Sequence, residues 1–217
     1  MALAKYGTRQ VVVSTAILLP LTVVTGIFLP WLCPVFAILL CWVFYFFRDP
    51  NRVVPDGDGV VVAPADGKIV EISECEEGEF VQGPALKLGI FLSVFDVHIN
   101  RVPCAGEVKY VEYREGKFHN AMLSKSSEFN ERNSVGFEHT ASDRSVRVLV
   151  KQIAGAIARR IVCECKPGDA LARGEKFGMI KFGSRTELYI PKDVEFELTA
   201  EMGQKVAAGE TILGRFR

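Results

Sequence analysis

The segment Arg144-Ser145-Val146-Arg147-Val148-Leu149-Val150-Lys151-Gln152-Ile153-Ala154-Gly155 is a short run of β-branched and aliphatic residues that ends at a glycine. A run of this length and composition, closed by a turn residue, favours a β-strand. Similar runs recur from Val60 to the C-terminus, separated by Gly, Pro and Asp: VVVAP, KIVEIS, LKLGIFLS, GEVKYVEYR, RIVCEC, ELYI, EFELTA and TILGRF. This spacing predicts a mainly β domain, a sandwich or barrel-sandwich. The polar segment FNERNSVGFE (129–138) is expected to form a loop.

Two segments near the C-terminus resemble each other. Residues 166–175 precede the apolar stretch 177–180, and residues 202–210 precede the apolar stretch 212–214. In each segment a glycine is followed by a few small apolar residues and then by a Gly-Glu pair, which precedes the apolar stretch. The pattern is similar to the hairpins of lipoyl- and biotinyl-carrier-like domains, and two ordinary glycine turns are the alternative. Neither segment carries a carrier lysine at a hairpin tip, which disfavours a swinging prosthetic arm.

The N-terminal part of the chain has a different character, because no charged residue occurs from Gln10 to Phe47. About 20 apolar residues are enough to span a bilayer, so this run is too long for one helix and suits two. The sequence predicts a hydrophobic α-helical hairpin over residues 10–29 and 31–47, with prolines near the turn.

Basic residues flank the apolar run on both sides: Lys5 and Arg9 precede it, and Arg48 and Arg52 follow it. This arrangement favours the cytoplasmic side for both ends. We expect residues 1–52 to form a membrane-associated hairpin and residues 53–217 to form a β domain on the cytoplasmic face of the cell membrane. A hairpin that enters the bilayer without crossing it is the alternative, and a cleaved signal peptide is disfavoured by the length of the run.

The composition excludes several classes of partner. Lys plus Arg and Asp plus Glu number 26 each, so no global field points to nucleic acid. The six cysteines form no disulfide framework, and the three histidines are scattered, so the sequence predicts no metal site. Cys163 and Cys165 are two residues apart in a strand pattern and should share one face.

A Gly-Ser pair at Gly183 and Ser184 is the strongest chemical signal, within KFGSRTELYIP (181–191). The serine hydroxyl can attack the preceding carbonyl, and glycine permits the backbone angles that this requires. The amide becomes an ester, and elimination followed by hydrolysis leaves a pyruvoyl group. That attack needs a base, which a histidine oriented by a carboxylate supplies in nucleophilic sites. His98, in an apolar run, and Asp66, in an Asp-Gly turn, are the candidates.

Six motifs in order carry a resemblance to a known family: FFRDPNR (46–52), APADGKI (63–69), SVFDVHINRVP (93–103), NERN (130–133), QIAGAIARRIV (152–162) and MIKFGSRTELYIP (179–191). The combination resembles the phosphatidylserine decarboxylase proenzymes, in their short form. The resemblance implies cleavage between Gly183 and Ser184 into a β chain (1–183) and an α chain (184–217), which remain together as a heterodimer. It also implies an N-terminal pyruvoyl cofactor derived from Ser184, with Asp66 and His98 as the activating residues.

One position departs from the long-form bacterial enzymes, which carry D-x-H-x-x-H in this region. Arg101 stands here in place of the second histidine, the one usually placed in the self-cleavage triad of the long form. His98 matches the first histidine, which is linked to decarboxylation. The resemblance therefore leaves open whether His98 serves both steps or whether self-cleavage depends on another group.

The implied reaction is the decarboxylation of phosphatidylserine to phosphatidylethanolamine and CO2, at a membrane and with a phospholipid substrate. On charge grounds Arg101, Arg132 and Arg185 are the candidates for binding the phosphodiester. Archaetidylserine, an ether lipid with the same headgroup, is an alternative substrate. A non-enzymatic membrane-anchored β-sandwich adaptor is a further alternative, and it predicts an intact chain of 24.0 kDa. The sequence does not decide whether the protein assembles into a higher oligomer.

Overall fold

The computed structural model describes residues 2–118, 129–141, 144–155, 160–181 and 184–217. Its chain divides into two compact units, Met1–Asn51 and Arg52–Arg217. The sequence analysis placed this division one residue later.

The first unit contains the expected pair of helices. A short 3-10 turn, Lys5–Gly7, leads into α1 (Thr8–Phe28), and α2 (Cys33–Phe46) follows after a four-residue connection. Two short strands, β1 (Ala2–Leu3) and β2 (Arg48–Asp49), pair antiparallel and bring the ends of the hairpin together. Among the described residues, one helical stretch, Lys5–Phe28, is long and apolar enough to cross a membrane, whereas α2 has only 14 residues.

The second unit is mainly β, as predicted. Its described strands are β3 (Val60–Val62), β4 (Gly67–Glu77), β5 (Gly83–Leu92), β6 (Ile99–Arg101), β7 (Gly106–Arg114), β8 (Arg132–Ala141), β9 (Arg144–Ile153), β10 (Arg160–Cys163), β11 (Ala170–Leu171), β12 (Lys176–Lys181), β13 (Ser184–Pro191), β14 (Phe196–Leu198), β15 (Lys205–Val206) and β16 (Ile212–Phe216).

These strands form three sheets. The largest has the order β11-β7-β8-β9-β13-β5-β4-β15, and the two smaller ones have the orders β10-β12-β6 and β14-β16-β3. Alternate residues of the large sheet, such as Val150, Leu188 and Ile90, face one apolar core. Strand β13 lies in the middle of this sheet, and all eight of its residues are buried.

The two similar C-terminal segments form matching hairpins, which confirms the carrier-like interpretation of the fold. The Gly203 N–H donates to Ile69 O at 2.9 Å, and the Gly168 N–H donates to Val108 O at 2.8 Å. The second glycine of each segment also bonds equivalently, Gly209 to Ala63 and Gly174 to Val102. All four glycines have positive φ, between 76° and 98°, which residues with a side chain rarely adopt. The order of the large sheet is likewise symmetric about the β9–β13 pair.

The expected loop at 129–138 is wrong, because strand β8 begins at Arg132 and pairs along its whole length with β9. Its polar residues misled the prediction, since Asn133 and Ser134 are buried in the sheet and donate hydrogen bonds to Gln152 and Glu79, respectively. Gly136 also lies in this strand, where an added Cβ would come within 2.6 Å of the Phe80 ring. Glycine is therefore required here by close packing rather than by a turn.

Candidate active site

Ser184 is the first residue of β13 and is completely buried. Its Cα lies opposite Leu92, the last residue of β5. The Ser184 Oγ is also buried and has no hydrogen-bond partner among the described residues. A buried, unpaired hydroxyl costs about 1–3 kcal/mol, and such groups in native structures point to a functional role. Ser184 thus fits the residue type and environment that a precursor of a pyruvoyl group needs.

The turn after β5 holds His98. The Asp96 Oδ2 accepts hydrogen bonds from the Ser93 N–H at 2.8 Å and from the Ser93 Oγ–H at 2.7 Å, which fixes the turn. His98 is completely buried, and its Nδ1 lies 2.9 Å from Asp96 O. Because a carbonyl oxygen can only accept, Nδ1 must carry the proton, and Nε2 is then the basic nitrogen of the neutral ring.

The strand pairing brings this turn to the connection between β12 and β13. On one side, Ser184 pairs with Leu92, immediately before the turn. On the other side, Met179 pairs with Ile99, and the Ile180 N–H donates to His98 O at 3.1 Å. The end of β12 and the start of β13 are therefore both fixed beside this turn. Gly183, the predicted cleavage position, lies outside the described residues.

Asp66 lies on an adjacent loop, before β4. Its Oδ2 accepts from Arg52 at 2.7 Å, and its Oδ1 accepts from the Ala208 N–H at 2.8 Å. These are its hydrogen bonds with described residues, so Asp66 is not seen to orient His98 directly. Burial raises the pKa of Asp66, and the negative charge of Asp96 acts in the same direction, against the opposing effects of Ala208 and Arg52.

The loop that carries Asp66 contacts the strand after His98. Pro64 O accepts from the Arg101 N–H at 2.9 Å and lies 3.4 Å from the side-chain amide of Asn100. The two predicted activating residues therefore occupy neighbouring segments, and the carboxylate holds the loop rather than the imidazole.

The three candidate arginines all have partners within the protein. Arg185 is buried, and Glu187 accepts from its Nε at 2.7 Å, while Glu71 pairs with its Nη2. Arg101 is also buried and donates to Gly174 O at 2.9 Å. Arg132 lies 3.5 Å from a carboxylate oxygen of Glu79. The role of the three arginines in substrate binding stays a prediction. For Arg185 in particular, two carboxylates already balance the positive charge.

A chain of buried polar side chains adjoins Ser184, and the sequence analysis did not identify it. The Asn100 Nδ2 donates to Thr186 Oγ1 at 3.1 Å, and the Gln152 Nε2 donates to Asn100 Oδ1 at 2.8 Å. The Asn133 Nδ2 continues the chain to Gln152 Oε1 at 2.9 Å. Thr186 and Ser184 lie on the same face of β13, so these bonds stabilise the strand at the reacting end. The signal in the sequence that could have revealed these residues is a polar residue within each apolar strand pattern.

Lys181 is a second residue that the sequence analysis missed. It is the last residue of β12 and is largely buried. Burial lowers its pKa, and the positive charge of Arg160 lowers it further. A lysine with a lowered pKa can act as a base.

Comparison with known proteins shows matches along most of the chain. The family model described as phosphatidylserine decarboxylase matches residues 39–214. A phosphatidylserine decarboxylase proenzyme of Carboxydothermus hydrogenoformans is 46% identical over 91% of this chain and 90% of its own length. The proenzymes of Rhodopirellula baltica (46% identical, 98% and 88% covered) and Symbiobacterium thermophilum (49% identical, 88% and 87% covered) are similar. With a match over most of both lengths and a buried serine at the start of a central strand, the chain belongs to the phosphatidylserine decarboxylase family.

Proposed function

We propose that this protein is a self-processing decarboxylase that converts phosphatidylserine to phosphatidylethanolamine and CO2, with a pyruvoyl group formed from Ser184. The observation that carries the proposal is the buried Ser184 hydroxyl at the start of β13, which has no hydrogen-bond partner in the described part of the chain and lies beside the turn that holds His98. The relatives are named proenzymes, which agrees with processing of a precursor.

In the processing reaction, the Ser184 oxygen attacks the carbonyl carbon of Gly183, and the amide C–N bond breaks as the ester C–O bond forms. The hydroxyl proton ends on the freed amine. Removal of the Ser184 α-proton then expels the Gly183 carboxylate and leaves dehydroalanine. Tautomerisation to an imine and hydrolysis consume water, release ammonia and give the pyruvoyl group at the start of the α chain.

We assign His98 as the base for this step and as the proton donor to the substrate α-carbon during decarboxylation. The Nδ1–H···O bond to Asp96 directs the basic character to Nε2, and burial keeps both His98 and Ser184 away from bulk water. The other histidine that the structure describes, His139, bonds Ala105 in the symmetry-related half of the sheet. We assign Asp66 a positioning role, because its two hydrogen bonds fix the loop that contacts the strand following His98.

A pyruvoyl group at this position supplies an electrophilic carbonyl that accepts the electron pair left when CO2 departs. The chain's own contribution is a buried environment in which Thr186, Asn100 and Gln152 hold β13 in place. A site that excludes water also makes each remaining charge more effective.

After cleavage the two chains would stay together as a heterodimer. The α chain begins with β13, which pairs with β9 on one side and β5 on the other. Removing it would open the centre of the large sheet. We further propose that the apolar first unit anchors the enzyme to the cell membrane, with the β unit on the cytoplasmic face, where a phospholipid substrate is presented.

Intact-mass analysis of purified wild type beside Ser184→Ala tests the proposal, with lipid product measured in parallel. The wild type should give two chains, 1–183 and 184–217, and form phosphatidylethanolamine, whereas Ser184→Ala should stay at full length and be inactive. Ser145→Ala, an exposed serine near the start of the symmetry-related strand β9, is the matched control and should be processed. Full-length wild type with an unmodified serine, or product formation by Ser184→Ala, would contradict the proposal.

A further inference from the structure

A cavity of about 520 Å³ lies beside the reacting end of the large sheet. Its lining includes Lys68 and Lys205, together with Ser93 and Asp96 of the turn that holds His98. We call it the lysine pocket. The lining therefore also includes one carboxylate, Asp96, whose Oδ2 accepts two hydrogen bonds from Ser93.

The two lysines lie directly opposite each other on neighbouring strands, β4 and β15. Like charges at such positions repel, and neither lysine has a carboxylate partner among the ion pairs of the described residues. The Cε of Lys68 lies 3.6 Å from where a Cβ on Gly203 would stand, so the side chain runs along the turn that lines the pocket. An anion between the two ammonium groups would remove the repulsion.

The internal symmetry shows that the fold does not require this pair. Gly203 bonds Ile69 as Gly168 bonds Val108, so Ile69 and Val108 are equivalent positions in the two halves of the sheet. By the same equivalence, Lys68 corresponds to Glu107, and Lys205 corresponds to Ala170. A second cavity lies at the related place and is lined by Glu107, Glu138 and Ala170. The same structural element therefore has an acidic lining in one half and two unpaired lysines in the half that carries Ser184.

The lysine pocket reaches the end of β5 that pairs with Ser184, and its lysines lie on the face of the sheet that carries Arg185, opposite to the Ser184 side chain. Phe91 and Ser93 line it, and between them Leu92 pairs with Ser184. In the phosphatidylserine headgroup the phosphodiester is separated from the reacting α-carbon by only one carbon and one oxygen. A cation on the departing carboxylate would stabilise the ground state and oppose the reaction, whereas a cation on the phosphodiester would not.

We propose that Lys68 and Lys205 bind the phosphodiester of the lipid headgroup and thereby orient the serine carboxylate away from the cations. The inference rests on the proposed function. It assigns the headgroup anion to two exposed lysines rather than to the buried Arg185, whose charge Glu71 and Glu187 already balance.

The test compares Lys68→Gln/Lys205→Gln with wild type in uncharged detergent micelles. An interaction with a non-reacting group stabilises substrate and transition state alike, so KM should rise about tenfold or more, far more than turnover at saturation falls. Processing into two chains should be unchanged by mass. Glu107→Gln/Lys109→Gln, which removes an exposed ion pair beside the related pocket, is the matched control and should leave KM within about twofold of wild type, as expected for exposed side chains with small energetic contributions.

Product inhibition separates the two anions of the headgroup. Phosphatidylethanolamine keeps the phosphodiester but lacks the carboxylate, so its inhibition constant should rise in the double variant by about the same factor as KM. An unchanged inhibition constant would overturn the inference, since the lysines would then contact the carboxylate or nothing.

A methyl phosphotriester analogue of the substrate gives a measurement on wild type that does not depend on the folding of a variant. Wild type should prefer the diester by about tenfold or more, and the double variant should lose that preference. A wild type that does not discriminate, or a double variant that discriminates equally, would overturn the inference.

Normal wild-type turnover with an unchanged KM in the double variant refutes the lysine assignment alone, whereas a processed wild type that forms no phosphatidylethanolamine refutes the proposed function as well.

Discussion

At the scale of single residues, Ser184 and His98 share an unusual environment for polar groups. Both are completely buried, although one is a hydroxyl and the other a titratable ring. The His98 Nδ1 is satisfied by Asp96 O, while the Ser184 Oγ has no partner among the described residues. A buried hydroxyl that lacks a hydrogen-bond partner among those residues is less stabilised in its resting state, which lowers the cost of reaching the attacking conformation.

Replacing His98 tests its assignment as the base. His98→Gln should slow processing by on the order of 10²-fold or more, because glutamine cannot accept the serine proton near neutral pH. A time course of intact mass after expression at low temperature measures this rate. His139→Gln is the matched control, since His139 also bonds a backbone carbonyl through Nδ1 but lies in the related half. Processing of His98→Gln at the wild-type rate would exclude His98 and make Lys181 the next candidate among the residues that the structure describes.

The sequence analysis selected Ser184, His98 and Asp66 from motif order and residue chemistry, which are local properties, and their catalytic roles stay predictions. It was not sufficient to assign their contacts. The partners of Asp66 are Arg52 and Ala208, and the latter lies on a hairpin far along the chain. Cys163 and Cys165 were expected on one face, and their sulfur atoms lie 3.2 Å apart.

At the scale of elements, β13 is buried on two chemically different faces. One face packs Leu188 and Ile190 into the apolar core. The other carries Arg185 and Glu187, and Lys87 on the neighbouring strand lies 3.1 Å from Glu187. A strand that alternates between core and buried ions has a fixed register, since a shift of one residue would place the charges in the apolar core. This fixed register keeps Ser184 opposite Leu92.

Removing the central carboxylate of this cluster should be costly. Glu187→Ala leaves Arg185 and Lys87 to share the single carboxylate of Glu71 in a buried site, so the free energy of unfolding should fall by about 3–5 kcal/mol. Urea unfolding followed by circular dichroism, in a Ser184→Ala background that keeps the chain intact, measures the change. Glu197→Ala removes an exposed partner of Arg217 and should cost only about 0–1 kcal/mol. Equal losses in the two variants would contradict the role given to the cluster.

A second buried carboxylate, Glu77, should make stability depend on pH. Burial alone would raise the pKa of Glu77, but N–H donors including that of Phe80 and the charge of Lys151 outweigh it and lower the pKa below 4.5. The unfolded chain therefore binds the proton more readily. The stabilisation is present above about pH 4.5 and is lost as the pH falls through the lower folded value.

Glu77→Gln should accordingly be less stable than the parent at pH 7, by about 1.5–3 kcal/mol for lost charge-assisted hydrogen bonds. The difference should shrink as the pH falls below about 4.5, since the parent carboxylate is then protonated as well. Unfolding midpoints from pH 3 to 7 measure it, and the exposed Glu195→Gln should show a flat difference. A constant penalty for Glu77→Gln across this range would contradict the assignment.

The strand pattern of the second unit could be predicted because runs of β-branched residues between turn residues are a short-range signal. The matching hairpins were also visible, since each needs glycine at two positions with positive φ. The sheet order could not be predicted in the same way. The pairing of β13 with β9 and β5 depends on contacts between segments that are distant in the chain.

At the scale of the whole molecule, the length of the helical hairpin limits how it can meet a bilayer. With a rise of about 1.5 Å per residue, the 21 residues of α1 are long enough to match a hydrocarbon core of about 30 Å. The 14 residues of α2 span only about 21 Å. If both ends of the hairpin lie on the cytoplasmic side, the shorter helix sets the depth that the turn can reach. We therefore expect the hairpin to enter the bilayer without crossing it.

Cys33, at the start of α2, reports the depth of that turn. An impermeant maleimide added to intact cells should leave Cys33 unmodified, whereas the same reagent should modify it after detergent solubilisation, as read by peptide mass. Lengthening α2 by seven apolar residues adds about 10.5 Å and should allow the turn to emerge, so that Cys33 becomes reactive in intact cells. Labelling of the natural protein in intact cells would contradict the expectation and would mean that the bilayer thins or the connection before α2 extends to bridge the difference.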